Sequence, residues 1–299
     1  MRQIVECVPN FSEGRRPEVI DEIVAAIERV QGVKVLDRSS DADHNRTVIT
    51  FVGPPATIGD GAFAAIARAA ELIDMDQHQG EHPRMGSADV VPFVPIAGVT
   101  MEDCVEIARR VGARVGQELG IPVYLYETAA ARPDRVNLGE IRPKSHQYEQ
   151  KKVDVGRDEK WAPDFGPARV GKAGVTAIGA RAPLIACNVF LTTADVTIAE
   201  RIAKAIRHSN GGLRFVKARG FLVAGKAQVS MNLTDYTKTP IYRVVELVRR
   251  EAARYGVGIE SSELVGMIPQ QALVDAAMWY LQLDNLEPRL IIENRLAEE

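Results

Sequence analysis

The sequence predicts an α/β (α+β) protein built from two tandem ferredoxin-like βαββαβ subdomains, with stacked sheets and outer helices. Two observations support this fold class. The order of strand and helix patterns in the first half recurs in the second half. The chain of 299 residues is also long enough for two domains. We expect the subdomains to comprise residues 1–178 and 179–299.

In the first half, apolar residues alternate along the expected strands and recur every three or four residues along the expected helices. Pro17 has the favoured first position of a helix. Thr100 is expected to cap another helix, with Asp103 in its first turn. Pro92 and Pro95 predict an edge strand or a strand end. The expected elements are strand 2–8, helix 17–30, strands 34–39 and 47–52, helix 56–73, strand 90–96, helix 101–119 and strand 123–126.

The second half repeats the order strand, helix, two strands, helix, strand. The turn 210–212 is expected to end its first helix, and 224–226 to join its paired strands. Thr239 is expected to cap a helix that begins at Pro240. The expected elements are strand 184–191, helix 195–207, strands 214–223 and 227–233, a helix from 240, strand 257–265 and helix 269–281.

Residues 127–174 separate the two repeats and lack clear periodicity. Such a long segment is uncommon unless it is functional or disordered, and Trp161 and Phe165 argue against disorder. We therefore expect an ordered crossing between the subdomains, where clefts often bind ligands. Its basic residues are either a solvated face or, given the nearby aromatic side chains, a site for a planar anionic ligand.

Composition narrows the class of protein. The net charge of −3 argues against nonspecific nucleic-acid binding. No apolar run approaches the ~20 residues of a membrane span, and no secretory leader is expected. Cys7, Cys104 and Cys187 lie far apart, which predicts buried reduced thiols and a cytoplasmic protein.

The segment 78–86 is the strongest candidate for chemistry. It holds His78, His82 and Arg84 within a stretch that glycine and proline keep from being a helix. Imidazole is the side chain best suited to move protons near neutral pH. The segment also matches the zinc-protease pattern H-x-x-E-H, but that pattern needs a continuous helix, and Pro83 opposes one. No metal is therefore expected.

Two other patterns are weaker. The run 59–64 fits G-x-G-x-x-A, but it lies too far from the end of the preceding strand for a dinucleotide site, so small residues in a packed helix explain it better. The polar run from Asp41 to Arg46, which includes Asp43, reads most simply as a solvated turn between strands.

Several longer motifs together resemble the formiminotransferase family, over residues 1 to about 285. They are VECVPNFSEG at 5–14, NRTV at 45–48, GEHPRMG at 80–86, PVYLY at 122–126, WAPDFGP at 161–167, GAR at 179–181, AQVS at 227–230 and LVG at 264–266. The resemblance implies an enzyme that transfers the formimino group of N-formimino-L-glutamate to tetrahydrofolate, in histidine degradation. It also implies a homodimer with folate in a charged tunnel between two subdomains.

The resemblance assigns the family's catalytic histidine to His82. Its folate-binding segment falls on Pro163, Asp164, Phe165, Gly166, Pro167, Ala168, Arg169, Val170, Gly171 and Lys172. Phe165 and the backbone near Gly166 are candidates for flanking the pterin or aminobenzoate ring. Candidates for other substrate contacts are Asp43, Arg46, Arg84, Arg142, Lys144 and Arg181.

The sequence departs from the best-known family members at some positions. Ser39 stands where they have an aspartate, so that Asp41 or Asp43 is expected to take its role. Ala168 and Arg169 replace two small hydroxyl residues, and Phe190 replaces an asparagine. A separate cyclodeaminase is expected to process the product. Two alternatives stay open: a 5-formyltetrahydrofolate cycloligase, and a folate-binding protein without catalysis.

Overall fold

The structure is a computed structural model that describes residues 3–80 and 83–296. The chain forms two compact units, which divide between Ala182 and Pro183. Each unit combines one β-sheet with helices, which confirms the α/β (α+β) class. The strand Thr176–Ala180, which spans the expected boundary at 178, lies entirely in the first sheet.

The elements of the first unit follow the expected order closely as far as residue 127. The strands are β1 (Ile4–Cys7), β2 (Asn10–Phe11), β3 (Lys34–Asp41), β4 (Arg46–Gly53), β5 (Ala88–Ala97), β6 (Val123–Glu127) and β7 (Thr176–Ala180); the helices are α1 (Pro17–Glu28), α2 (Ile58–Leu72), α3 (Met101–Arg114), α4 (Leu138–Ile141) and α5 (Tyr148–Asp154).

The first sheet has the spatial order β3, β4, β1 with β2, β5, β7, β6. β1 and β2 form one interrupted strand between β4 and β5. β7 and β6 continue the sheet in parallel with β5. The core lies on the helix-covered face, where Cys7, Phe51 and Phe93 are fully buried at matching register positions. This arrangement explains the alternating pattern of β1.

β5 is an interior strand, so the edge position expected from its prolines is wrong; the alternative, a strand end, holds for Pro95, because β5 ends at Ala97. It is bonded to β1 and β2 on one side and to β7 on the other. The sheet accommodates Pro92 because this residue faces the break between β1 and β2. There its carbonyl accepts from the N–H of Val8 (3.3 Å), and no ladder bond requires an N–H of Pro92.

The segment 127–174 contains short elements that its composition does not reveal. Besides α4 and α5 it has 3₁₀ turns at Pro133–Arg135 and Glu159–Trp161. The strand that follows this segment, β7, inserts between β5 and β6. β6 is therefore not the last strand of the first unit, which the sequence pattern had predicted it to be. The chain therefore makes a long excursion between two neighbouring parallel strands, and this excursion carries much of the candidate site.

The second unit has the expected βαββαβ order. Its elements are β8 (Ile185–Leu191), α6 (Val196–Ile206), β9 (Val216–Val223), β10 (Lys226–Leu233), α7 (Ile241–Ala253), β11 (Ile259–Val265), α8 (Gln270–Leu281) and α9 (Ile292–Leu296). The sheet is antiparallel with spatial order β11, β8, β10, β9. Its core joins one face of β8 and β10 to α6 and α7.

Local signals were partly correct. Thr100 and Asp103 form the expected capping box at α3. Thr239 does not cap α7; its hydroxyl donates to the carbonyl of Arg214 (2.6 Å) instead, and Pro240 precedes the first turn. The three cysteines are buried and unpaired, as predicted. Within the described ranges, no helix is long and apolar enough to cross a membrane.

Candidate active site

The segment 78–86 belongs to a longer loop, residues 75–87, which we call the histidine loop. Both ends of this loop bond to the C-terminal end of segment 163–172, at the last residue of the segment and at the residue after it. The N–H of Met75 donates to the carbonyl of Lys172 (2.9 Å), and the N–H of Ser87 donates to that of Ala173 (2.9 Å). The loop ends are therefore held side by side, as in an Ω-loop.

Gly86 permits this closure. A Cβ atom added at Gly86 would lie 2.1 Å from the carbonyl oxygen of Val175, so any larger residue would collide with the backbone. Next to it, the N–H of Val175 donates to the carbonyl of Met85 (2.9 Å), and the hydroxyl of Ser12 donates to the carbonyl of Gly86 (2.8 Å). The motifs at 5–14 and 80–86 therefore meet here.

Within the loop, His78 and Arg84 bond to each other. Arg84 donates from Nε to Nδ1 of His78 (3.1 Å) and from Nη2 to the His78 carbonyl (2.8 Å). Nε2 of His78 lies 2.9 Å from the carbonyl of Asn45, which requires a proton on Nε2. Burial, with a further contribution from Arg84, lowers the pKa of His78. His78 is thus a buried, neutral imidazole with both nitrogens bonded.

This bonding removes His78 from consideration as a metal ligand, since a ligating imidazole needs a free lone pair. The other ionisable letters of the H-x-x-E-H pattern, Glu81 and His82, lie outside the described residues. In residues 3–80 and 83–296, no group of three His, Cys, Asp or Glu side chains is arranged to hold a metal ion.

Arg84 also bonds to the start of α5. Its two terminal nitrogens contact the carboxylate of Glu149 at 3.0 and 2.7 Å. The backbone N–H of Arg84 donates to the side-chain oxygen of Gln147 (3.1 Å), and its carbonyl accepts from the N–H of Tyr148 (3.0 Å). With these contacts and those to His78, all three guanidinium nitrogens of Arg84 donate to groups of the protein.

The chain on either side of Glu81 and His82 is held by separate contacts. On one side, Asn45 donates to the carbonyl of Gln79 (2.8 Å), and a Cβ added at Gly80 would lie 2.4 Å from the carbonyl of His44. On the other side, Arg142 donates to the carbonyl of Pro83 (3.0 Å).

Arg142 is itself paired with a buried acid. It forms an ion pair with Asp89, whose other oxygen accepts from the N–H of Met85 (2.7 Å). Asp89 is only 2% exposed, so this charge depends on Arg142. Arg142, which the sequence offered as a candidate substrate contact, therefore holds the histidine loop in this structure.

Segment 163–172 has a structural first part and an exposed second part. Asp164 lies 2.6 Å from Arg135 and accepts from the N–H of Leu125 (2.7 Å). The ring of Phe165 packs beside Gly112 of α3. By contrast, residues 166–169 and 171–172 are exposed. Arg169 forms no hydrogen bond or ion pair within the part of the chain that the structure describes.

The other candidate residues lie in different surroundings. Asp43 and Lys144 are exposed, and Arg46 is partly buried, which lowers its pKa. The carboxylate of Asp41 accepts from the backbone N–H of His44 and lies 2.8 Å from Nδ1 of the His44 ring. This carboxylate therefore stabilises the turn between β3 and β4.

Arg181 lies at the ends of the parallel strands, where its backbone N–H donates to the carbonyl of Phe93 (3.0 Å). Its guanidinium interacts electrostatically with Glu6. Burial, opposed by this arginine, raises the pKa of Glu6. These two groups belong to a different part of the sheet from the base of the histidine loop.

Sequence reasoning missed a buried lysine beside segment 163–172. Lys151 of α5 is fully buried, and its Nζ atom lies 3.5 Å from the ring centre of Trp161 and 4.6 Å from that of Tyr124. Its Nζ has no hydrogen-bond partner among the described atoms. Burial is the main cause that lowers the pKa of Lys151 to about 6.

Comparisons with known proteins agree over nearly all of the chain. Residues 4–181 match the formiminotransferase domain, N-terminal subdomain, and residues 186–296 match the formiminotransferase domain. A glutamate formimidoyltransferase of Thermoplasma acidophilum is 56% identical, covering 99% of this chain and 98% of the relative. One of Streptococcus pyogenes serotype M1 is 47% identical, covering 99% of each.

A formimidoyltransferase-cyclodeaminase of Sus scrofa is 44% identical, covering 99% of this chain and 57% of the relative. Among solved structures, a microcompartment protein from Desulfitobacterium hafniense covers 92% of this chain and 99% of its own, with 11% identity and a TM-score of 0.24. That score is too low to support an argument.

Proposed function

The chain belongs to the formiminotransferase family, and from this premise we propose that it is a glutamate formimidoyltransferase. It would transfer the formimino group of N-formimino-L-glutamate to tetrahydrofolate, giving 5-formiminotetrahydrofolate and glutamate. The relatives from T. acidophilum and S. pyogenes, which match almost from end to end, support this reaction.

The reaction exchanges one carbon–nitrogen bond for another. N5 of tetrahydrofolate adds to the formimino carbon and loses a proton. The bond from that carbon to the nitrogen of glutamate then breaks, after this nitrogen has gained a proton. We assign both proton transfers to His82, because an imidazole exchanges protons readily near neutral pH. Such acid–base assistance contributes roughly 10²–10⁴ in rate.

One observation carries the proposal: backbone hydrogen bonds join the histidine loop to the end of segment 163–172, from Met75 to Lys172 and from Ser87 to the next residue, Ala173. Two segments far apart in sequence, one with a histidine pair and one with exposed cations, therefore share one place in the fold. Arg169 and Lys172 present positive charge there, which suits the carboxylates of a folate tail. Asp164 and Phe165 would shape this segment from within.

The direct test is turnover of N-formimino-L-glutamate with tetrahydrofolate, followed optically. We expect His82→Ala to lower kcat by about 10²–10⁴ and to leave folate affinity nearly unchanged. His208→Ala, at an exposed histidine of the second unit, is the matched control. Wild-type kcat in His82→Ala would refute the role of His82. ATP-dependent loss of 5-formyltetrahydrofolate without formimino transfer would favour the cycloligase alternative.

A second test concerns the binding segment. Arg169→Ala should raise the Kd for 5-formyltetrahydrofolate about three- to tenfold, since one exposed charge contact is lost. Arg157→Ala, another exposed arginine of the same excursion, is the control. Equal Kd values for the two variants would place the folate elsewhere.

We further infer a cytoplasmic homodimer that acts in histidine degradation and delivers its product to a separate cyclodeaminase. The T. acidophilum and S. pyogenes relatives, matched over nearly their whole length, carry only the transferase name. Exposed apolar residues on α8, including Trp279 and Leu281, suit a protein interface. Light scattering after size exclusion tests the dimer, and a monomer at micromolar concentration would contradict it.

A further inference from the structure

We propose that the first turn of α5 couples the two halves of the site, with Glu149 and Tyr148 as positioning residues. Glu149 holds the histidine loop through Arg84, and Tyr148 connects that loop to segment 163–172. This inference rests on the proposed function, because it concerns the placement of the same catalytic loop. Neither residue belongs to the sequence motifs that identify the family.

Glu149 acts on the loop through one guanidinium. It binds Arg84 with two contacts, at 3.0 and 2.7 Å, and Arg84 in turn donates to the ring and the carbonyl of His78. His78 and Arg84 enclose the five loop positions that include His82. Two parallel bonds fix the plane of a guanidinium, so Glu149 determines how Arg84 presents its remaining donors to His78.

Tyr148 makes the connection to the other half. Its side chain is buried, and its hydroxyl donates to Asp76 (2.8 Å). Asp76 follows Met75, whose N–H donates to the carbonyl of Lys172. Lys152, one turn further along α5, also contacts Asp76 (2.5 Å). The same helix turn therefore holds the histidine loop at Arg84 and the junction with segment 163–172 at Asp76.

The energetics favour positioning over stability for Glu149. Its side chain is 68% exposed, so solvent screens its pairing with Arg84, and a pair with one such exposed partner contributes little to folding. Arg84, whose side chain is 11% exposed, keeps its bonds to His78 when the charge of Glu149 is removed. Small displacements of a catalytic group, in contrast, reduce rates strongly; about 1 Å can reduce a rate about 10²-fold. Loss of Glu149 should therefore change the rate far more than the unfolding midpoint.

The experiment compares Glu149→Gln, Tyr148→Phe and their double variant in the full chain. Glu149→Gln keeps the size of the side chain and removes its charge. We expect kcat to fall about 10- to 100-fold, Kd for 5-formyltetrahydrofolate to stay within about twofold, and the thermal midpoint to move by no more than about 3 °C. Glu102→Gln, at an exposed acid of α3, is the control.

Tyr148→Phe removes only the hydroxyl. Because its partner Asp76 borders segment 163–172, we expect both a lower kcat and a Kd raised about three- to tenfold. Tyr255→Phe in the second unit is the control. If the two residues act through one element, the double variant loses less kcat than the product of the single losses.

The outcomes separate the two proposals. A wild-type enzyme without formimino transfer refutes the proposed function. An active wild type with an unchanged kcat in Glu149→Gln refutes the positioning role alone. A midpoint lowered by more than about 10 °C in Glu149→Gln would show a structural role, and independent losses in the double variant would refute the coupling.

Discussion

Replacing Lys151 by methionine tests the energetic consequence of burying an amine without a hydrogen-bond partner. Lys151 is fully buried against Trp161 and Tyr124, and burial lowers its pKa from an ordinary value of 10.5 to about 6. Methionine retains the unbranched stem and removes the ionisable group. The substitution should therefore stabilise the protein at neutral pH.

The magnitude follows from proton linkage. Between about pH 6 and 10.5 the folded protein holds Lys151 neutral, whereas the unfolded chain carries the ammonium. The unfolded state binds more protons there, so wild-type stability rises with pH by up to about 1.4 kcal/mol per pH unit. At pH 7 the distance to 10.5 is 3.5 pH units, which sets a ceiling of about 5 kcal/mol.

We expect a gain of about 2–3 kcal/mol at pH 7, below this ceiling, because methionine repacks imperfectly. A protonated Lys151 would be attracted to the ring of Trp161 by up to about 2 kcal/mol. That attraction opposes the lowering of the pKa, but it is smaller than the effect of removing a full charge from water. The stability gained by Lys151→Met should shrink as pH rises, because the unfolded wild-type chain then loses its proton and no longer gains free energy from charging Lys151.

The assay is denaturant unfolding at pH 7 and pH 9, followed by the fluorescence of Trp161. The chain has two tryptophans, so a Trp279→Phe background makes the signal specific for the first unit. Lys152→Met, at an exposed neighbour on α5, is the control. A gain of equal size at both pH values, or destabilisation at pH 7, would refute the reasoning.

Three further predictions concern the site. Gly86→Ala should lower the free energy of unfolding by about 1–3 kcal/mol and abolish turnover, because its Cβ meets Val175; Gly258→Ala in the second unit, where a Cβ would contact only the side chain of Thr192 at 3.8 Å, should do neither. Asp164→Asn should cost about 3–5 kcal/mol in denaturant unfolding, since it leaves the buried Arg135 unpaired; unchanged stability would contradict the pairing. Burial lowers the pKa of His78 in the folded state. The stability that neutral His78 contributes is therefore present above its unfolded pKa and is lost as pH falls through its folded pKa. His78→Gln should make stability depend less on pH in the acid range, and a curve parallel to that of the wild type would contradict this.

Periodicity revealed the elements whose pattern is local. α1, α2 and α3 each bury an apolar stripe against the first sheet, and such stripes are visible in a single sequence. The βαββαβ order of the second unit was recovered for the same reason. The cap at Thr100 was found because its partner, Asp103, lies three residues away.

Elements defined by distant partners were not found. β7 has only five residues, two of them threonine and glycine, and it is a strand because β5 and β6 bond to it from both sides. Pro92 suggested an edge, since the break between β1 and β2 that accommodates it cannot be read from β5 alone. In both cases pairing across the sheet overrides the local signal.

The same limit applies to the site. The sequence singled out the histidine loop, because imidazoles, glycines and a proline lie close together. It did not indicate that Asn45, Asp89 and Glu149 hold this loop. Asn45 lies 33 positions from His78, and Glu149 lies 65 positions from Arg84. Asp89 lies just beyond the loop and accepts from Met85. The spacing of residues in the sequence therefore identified the candidate catalytic loop, whereas the residues that hold the loop became visible only in the fold.

The two histidines of the loop illustrate why composition alone assigns roles poorly. A pattern search treats His78 and His82 as equivalent, four positions apart. His78, however, donates from Nε2 to Asn45 and accepts at Nδ1 from Arg84, and burial lowers its pKa, so it has neither a free lone pair nor a tendency to take up a proton. This is why we assign the proposed proton transfers to His82, while His78 holds the guanidinium of Arg84 through its ring nitrogen and its carbonyl.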